Sequence, residues 1–117
     1  MEFHGPRTQI LDEGVATNQT TIVYTVPANK KFFLVESMVH PTTVAIGIGY
    51  VEIRNGSGVR VRHLNQINID TQIGESPADH FNPGWPIELP EGYDITIVSN
   101  AAGLTVEGDI FGFEVDV

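Results

Sequence analysis

The chain contains no cysteine in 117 residues. That excludes a disulfide framework and any thiolate metal site, so one hydrophobic core, helped by partners, has to hold the fold. Cations are also scarce: six Lys and Arg stand against fifteen Asp and Glu, for a formal net charge of -9. An acidic surface repels a phosphate backbone and gains nothing from counterion release, which argues against nucleic acid as a partner. No stretch keeps a period of 3.6 residues, so almost no helix is expected. Residues 1–16 carry no apolar run able to act as a signal sequence, and no later segment reaches membrane-spanning length without polar interruption. The expectation is a product made in the cytoplasm, with no membrane partner.

Short alternating segments separated by Gly and Pro take the place of helices. Residues 82–100 organise the rest: Ile87 and Leu89 run into Pro90-Glu91-Gly92, and Tyr93, Ile95 and Ile97 leave it. Proline sets φ at the first turn position and glycine supplies a left-handed residue, so this reads as a hairpin. Val26-Pro27-Ala28-Asn29 before Phe33 and Val35 repeats the device. Two such turns point to a sandwich built in two similar halves.

Taken in order, residues 1–7 read as a flexible N-terminal arm and 8–117 as the domain. Strands are expected over 8–12 and 19–26, with a turn at Glu13-Gly14 between them. Residues 31–39 are apolar on both faces, with Phe32, Leu34 and Met38 on one and Phe33, Val35 and Val39 on the other. A sandwich strand needs only one buried face, so the second wants a subunit or a covering loop. Residues 43–53 set Val44, Ile46, Ile48 and Tyr50 against the small residues Ala45, Gly47 and Gly49, which allow another backbone close. Phe32, Leu34, Met38, Ala45, Gly47 and Gly49 are therefore the candidates for an oligomer interface.

Asn55-Gly56-Ser57-Gly58 is a strong turn signal, after which Arg60 and Arg62 share one strand face as a local basic patch for an acidic partner or neighbouring subunit. Residues 66–73 alternate cleanly, with Ile67, Ile69, Thr71 and Ile73 inward. Residues 74–83 read as the longest loop. In 104–117 the apolar residues change parity between Val106 and Phe111, which a bulge at Gly108 would absorb. About eight or nine short strands with Gly/Pro turns make an all-β, single-domain antiparallel β-sandwich of jelly-roll topology.

Chemistry is harder to find. His4, His40, His63 and His80 are scattered with no His-x-His pair, and no cofactor or metal is expected from them. The carboxylate pairs Asp12 with Glu13 and Glu107 with Asp109 lie near turns and read as solvated. No nucleophile elbow accompanies any serine, so no catalytic residue is assigned. Trp85, the single tryptophan, reads first as a plug closing one end of the core, because a buried indole contributes large apolar area. Its other reading is a sugar-stacking platform with Tyr93, Asn82 and Asp79.

Four stretches carry a resemblance: Tyr24-Thr25-Val26-Pro27-Ala28-Asn29-Lys30-Lys31-Phe32, Tyr50-Val51-Glu52-Ile53-Arg54, Ile87-Glu88-Leu89-Pro90-Glu91-Gly92-Tyr93, and Gly108-Asp109-Ile110-Phe111-Gly112-Phe113-Glu114-Val115. From about Thr20 onward the chain resembles small jelly-roll modules of tailed-bacteriophage particles, namely capsid decoration (cementing) proteins and fibre heads. It departs at Asn29, where such turns more often carry glycine. The resemblance implies a non-enzymatic virion protein, a homotrimer of tumour-necrosis-factor-like build, with the major capsid protein or another virion protein as partner. The alternative is a carbohydrate- or receptor-binding jelly roll with a glycan as ligand.

Overall fold

Val, Ile, Thr, Tyr and Phe dominate the extended segments, and their stiff or flat side chains pack well on a pleated surface. The computed structural model describes residues 7–43, 45–70 and 77–117. Its strands are β1 (Arg7–Thr17), β2 (Thr20–Thr25), β3 (Lys30–Pro41), β4 (Gly47–Arg54), β5 (Arg60–Ile69), β6 (Asp79–Phe81), β7 (Ile87–Leu89), β8 (Asp94–Ser99) and β9 (Thr105–Asp116).

Sheet I has the order β1-β9-β3-β6, with β7 also on β3, and sheet II has the order β2-β8-β4-β5. All pairings are antiparallel. The late strand β9 inserts between β1 and β3, and β8 inserts between β2 and β4. Two interleaved sheets of this order form a jelly roll, as the sequence pattern predicts. Phe32, Leu34 and Val39 from β3, Val106 and Ile110 from β9, Val51 and Ile53 from β4, and Ile95 and Ile97 from β8 fill the space between the sheets.

The two similar turns are real but join sheet to sheet. β2 lies in sheet II and β3 in sheet I, and β7 lies in sheet I and β8 in sheet II, so neither pair is the hairpin the sequence pattern indicates. Asn29 (φ 63°) and Gly92 (φ 82°) hold left-handed positions that let the chain reverse. The turns bind each other: Val26 N–H donates to Tyr93 O and Gly92 N–H donates to Val26 O, each at 2.9 Å, and Asn29 N–H donates to Glu91 Oε2 at 2.8 Å. The repeated sequence device therefore marks the twofold-like closure of one end of the sandwich. Asn55-Gly56-Ser57-Gly58, by contrast, is a true hairpin turn between β4 and β5, with Asn55 Oδ1 accepting from Ser57 N–H at 2.9 Å and Val59 N–H at 3.1 Å.

Several local expectations change. No turn forms at Glu13-Gly14: β1 runs through it, and Gly14 packs close under β2, where a Cβ would lie 3.1 Å from Val23 Cγ2. The chain turns instead after Thr17, at Asn18 (φ 49°). β9 carries no bulge at Gly108, since its pairing with β1 is regular from Thr17↔Thr105 to Arg7↔Val115. Its even residues from Val106 to Gly112 face the core, and Phe111 and Phe113 stand on the outer face.

The register slip is in β3, between Leu34 and Glu36. Val35 is the extra residue, so Phe32 and Leu34 face inward before the bulge while Ser37 and Val39 do so after it. Met38 thus lies on the opposite face from Phe32 and Leu34. Ile67 and Ile69 are buried as expected, but they end a longer strand that begins at Arg60. Thr71 and Ile73 lie outside the described residues. Part of the expected 74–83 loop is the short strand β6, paired with β3 through Ser37↔Phe81 and Val39↔Asp79.

Candidate functional site

The six interface candidates separate by position. Phe32 and Leu34 are fully buried in the chain's own core, and Ala45 is buried with them. The close neighbour that the small residues of β4 admit is intrachain. A Cβ on Gly49 would sit 2.6 Å from Val106 Cγ1, and one on Gly47 would sit 2.6 Å from Ala101 Cβ. Val106 of the opposite sheet and Ala101 of the β8–β9 turn, and not another subunit, fill that space. Of the six, Met38 alone stands on an outer face.

That outer face of sheet I is where β3's second apolar side goes. Phe33 pairs with Phe113 and with Glu88, and Phe113 meets Phe111 edge to face at 5.3 Å. The Arg7 guanidinium lies 4.9 Å over the Phe113 ring. Beside this aromatic ladder is a shallow cavity of about 180 Å³ lined by Leu11, Glu36, Met38, His80, Asp109 and Phe111.

One step along the sheet, Glu13 on β1 is directly opposite Asp109 on β9, and Glu107 is the next outward residue of β9. One carboxylate oxygen from each of the three lies within 4.8 Å of the others. His40 on β3 pairs with Glu107, with Nε2 3.4 Å from Glu107 Oε2. His40 Nδ1 and Asp109 Oδ1 are buried with no hydrogen-bond partner among the described residues. Sequence spacing paired Glu107 with Asp109 but could not supply Glu13, which antiparallel register brings from the other end of the chain. Crowding three carboxylates at this distance favours the protonated form of Glu107 and Asp109.

Its hydrogen bond with Glu13 raises the Glu107 carboxyl above the ordinary range, with burial and the Asp109 charge adding to it. Burial raises Asp109, with Glu13 adding repulsion, while the facing His40 opposes both shifts. The folded chain therefore keeps protons that the unfolded chain, with carboxyls near about pH 4, has lost. Stability drawn from this cluster is present at low pH and falls as pH rises from the unfolded value through the raised folded one. Thermal unfolding midpoints should drop on going from mildly acidic to neutral buffer, and Glu107→Gln with Asp109→Asn should flatten that slope. An unchanged slope in the double variant would refute the assignment.

Sheet II presents the opposite sign. Glu52 is 1% exposed although it faces outward, because Arg54 and Arg60 cover it. Arg54 Nη2 lies 2.5 Å from Glu52 Oε1, and Arg60 Nε pairs with Oε2. The Arg60 guanidinium also lies 5.3 Å over the Tyr50 ring, and Tyr50 stacks on His63 at 5.2 Å. Arg62 points to the strand's other side, 5.5 Å over Phe81. Arg60 and Arg62 therefore do not share a face: the pairing of β4 with β5 shifts between Ile53 and Arg54, which flips their relation. His63 stands outside sheet II and His80 outside sheet I, so they form no joint site with Asp79.

Trp85 is 74% exposed and plugs nothing. Leu89 and the partly buried Tyr93 pack at that end of the core instead. Asn82 is exposed in the same loop, its Oδ1 accepting from Gly84 N–H at 3.3 Å. Asp79 is engaged elsewhere, its Oδ2 accepting from Gln66 N–H at 3.0 Å. The four sugar-platform candidates are thus only partly together: Trp85 and Asn82 share an exposed loop, while Tyr93 and Asp79 are committed to the sandwich.

No protein-family model and no curated protein matches the chain. Among solved structures it is similar to a pentameric capsid protein isolated from metagenomic phage sequences, at 18% identity and a TM-score of 0.51 over 92% of this chain. The two share a fold. This chain spans 61% of that capsid protein's length. It also has likenesses at TM-scores of 0.47 to a protein of Bacillus endospore appendages, described as disulfide-linked pili, and to the virus-like particle of the giant freshwater prawn extra small virus. Identities there are 15% and 13%, covering 96% and 97% of this chain and 88% and 82% of those chains.

Proposed function

We propose that this chain is a non-enzymatic structural protein of a virion. On this reading it works as an oligomeric component on or in a capsid, bound to copies of itself and to the major capsid protein or another virion protein. The observation that carries the reading is the jelly-roll strand order, together with the likeness to a phage capsid protein over 92% of the chain. The decoration form of the reading expects a homotrimer whose many copies clamp a shell by summed modest interfaces.

Light scattering after size exclusion, at two concentrations, together with co-sedimentation on capsids, tests it. A stable trimer that co-sediments supports decoration, and rings of five or closed shells support a lattice role. A monomer at all concentrations that binds no capsid removes both.

A second reading, glycan binding, rests on the exposed indole of Trp85. Trp85→Ala should leave stability within about 0.5 kcal/mol of the parent, as for an exposed side chain. If glycans bind, the same substitution should abolish binding, and glycans should shield the parent's fluorescence from acrylamide. A glycan array on which nothing is retained would eliminate this reading.

A further inference from the structure

Seven asparagines stand in the chain, and only Asn55 is followed by glycine. It opens the turn between β4 and β5, where its backbone is held on both sides: Asn55 N–H donates to Val59 O and Gly58 N–H donates to Asn55 O, each at 2.9 Å. Gly58 (φ 77°) supplies the left-handed residue that closes the turn. The side chain is held as well, with Oδ1 accepting from Ser57 N–H at 2.9 Å and from Val59 N–H at 3.1 Å. Gly56 is exposed, and its N–H donates to no group among the described residues.

These are the parts of an intramolecular acyl transfer. Attack of Gly56 N on Asn55 Cγ closes a five-membered ring, and residue 56 has no side chain to crowd the approach. Hydroxide removes the Gly56 amide proton, the nitrogen bonds to Cγ, and negative charge gathers on Oδ1. Two backbone N–H groups already point at that oxygen, at the distances by which donors stabilise an oxyanion. The intermediate collapses by breaking the Cγ–Nδ2 bond; Nδ2 takes a proton from water and leaves as ammonia. Water then opens the cyclic imide at one of its two carbonyls. The sum is asparagine plus water giving a carboxylic acid plus ammonia, with no change of oxidation state.

We infer that Asn55 is a site of spontaneous deamidation, and that the folded turn directs the imide to aspartate in preference to isoaspartate. Opening at Cγ restores the original backbone path and leaves a carboxylate that takes the same two N–H groups in charge-assisted bonds. Opening at the main-chain carbonyl reroutes the backbone through Cγ. The inserted atom then pulls apart the backbone bonds of residue 55 to Val59 and Gly58 that set the hairpin.

The other asparagines lack these parts. Asn82 precedes proline, which has no N–H to attack with. Asn65 is buried, its amide donating to Asp79 O and its Oδ1 accepting from Ser37. Asn18, Asn29, Asn68 and Asn100 are each followed by a residue whose Cβ crowds the nitrogen.

Incubation of the full chain in mildly alkaline buffer, followed by peptide mapping, tests the site. The mass gain of an amide-to-acid exchange should appear at Asn55 before any other asparagine, with one added negative charge on anion exchange. Gly56→Ala is the control that keeps the fold, because Gly56 is not left-handed and a Cβ there meets only Gly92 O, at an ordinary 3.6 Å. It should slow conversion at least about tenfold, equivalent to about 1.4 kcal/mol of barrier. Conversion of the Gly56→Ala chain at the parent's rate, or of another asparagine first, overturns the assignment.

Electron-transfer fragmentation, which separates the two acid isomers, tests the direction. The folded chain should accumulate a larger share of aspartate than the same chain unfolded in guanidinium chloride, where nothing holds Oδ1 or the hairpin. Equal shares in the two states overturn the turn's control of the product. Asn55→Asp, made directly, should unfold at a midpoint no lower than the parent's in neutral buffer. A clear loss of stability would mean that the turn rejects the carboxylate, and would refute the direction as well.

Discussion

Gly112→Ala is expected to destabilise the chain by more than about 3 kcal/mol, a large fraction of the roughly 5–15 kcal/mol that holds a domain folded. Gly112 faces inward from β9, paired with Leu34 in the middle of sheet I. A Cβ there would overlap the Phe33 carbonyl oxygen and the Phe32 ring, whose Cε1 would be only 2.9 Å away. The carbonyl belongs to the β3 backbone and cannot step aside without breaking its ladder. The ring is held too, fully buried and stacked on Tyr24 at 4.6 Å. Gly108→Ala is the informative control, because the Cβ there meets chiefly the flexible end of the Ile97 side chain. Urea unfolding should rank the parent above Gly108→Ala and Gly108→Ala above Gly112→Ala. A parent-like midpoint for Gly112→Ala would mean that β3 and β9 do not pack in this register.

Phe32→Ala should remove about 3–5 kcal/mol, the usual effect of deleting a fully buried aromatic ring. The ring lies between Tyr24 and the close approach of β9, and Tyr24 is itself fixed by donating its hydroxyl to Glu114 Oε2 at 2.5 Å. Truncation would leave a cavity bounded on one side by a glycine that contributes no side chain to fill it. Because Phe32 sits in the core and not between subunits, the loss should be the same at low and high protein concentration. A loss that disappears when assembly is weakened would place Phe32 at a subunit contact and refute the core position.

That contrast shows how much could be read before folding. The alternating apolar residues, Gly/Pro punctuation and lack of a helical period marked an all-β sandwich, because strand periodicity and turn chemistry are local properties written into adjacent residues. The Pro27–Asn29 and Pro90–Gly92 turns were visible for the same reason, since each needs a left-handed residue at a fixed offset from proline. Their partners were not visible. Whether Leu89 and Tyr93 flank a hairpin or a passage between sheets depends on which strands lie beside them, and β3 and β4 come from distant sequence.

Parity was the other limit. A single bulged residue, Val35, moved Met38 to the face opposite Phe32 and Leu34, and the aromatic run of β9 stayed in register without any bulge. Sequence alternation cannot show which of two paired strands absorbs a slip, because either choice satisfies the pattern. The proton-sharing cluster of Glu13, Glu107 and Asp109, the covering of Glu52 by Arg54 and Arg60, and the exposure of Trp85 were likewise decided in three dimensions. Each depends on side chains that only antiparallel pairing and sheet edges bring together or leave bare. Local pattern and composition set the fold class, the acidic balance and the absence of disulfides. Tertiary structure decided which faces are core and which side chains stay exposed, because burial is a property of neighbours and not of residues.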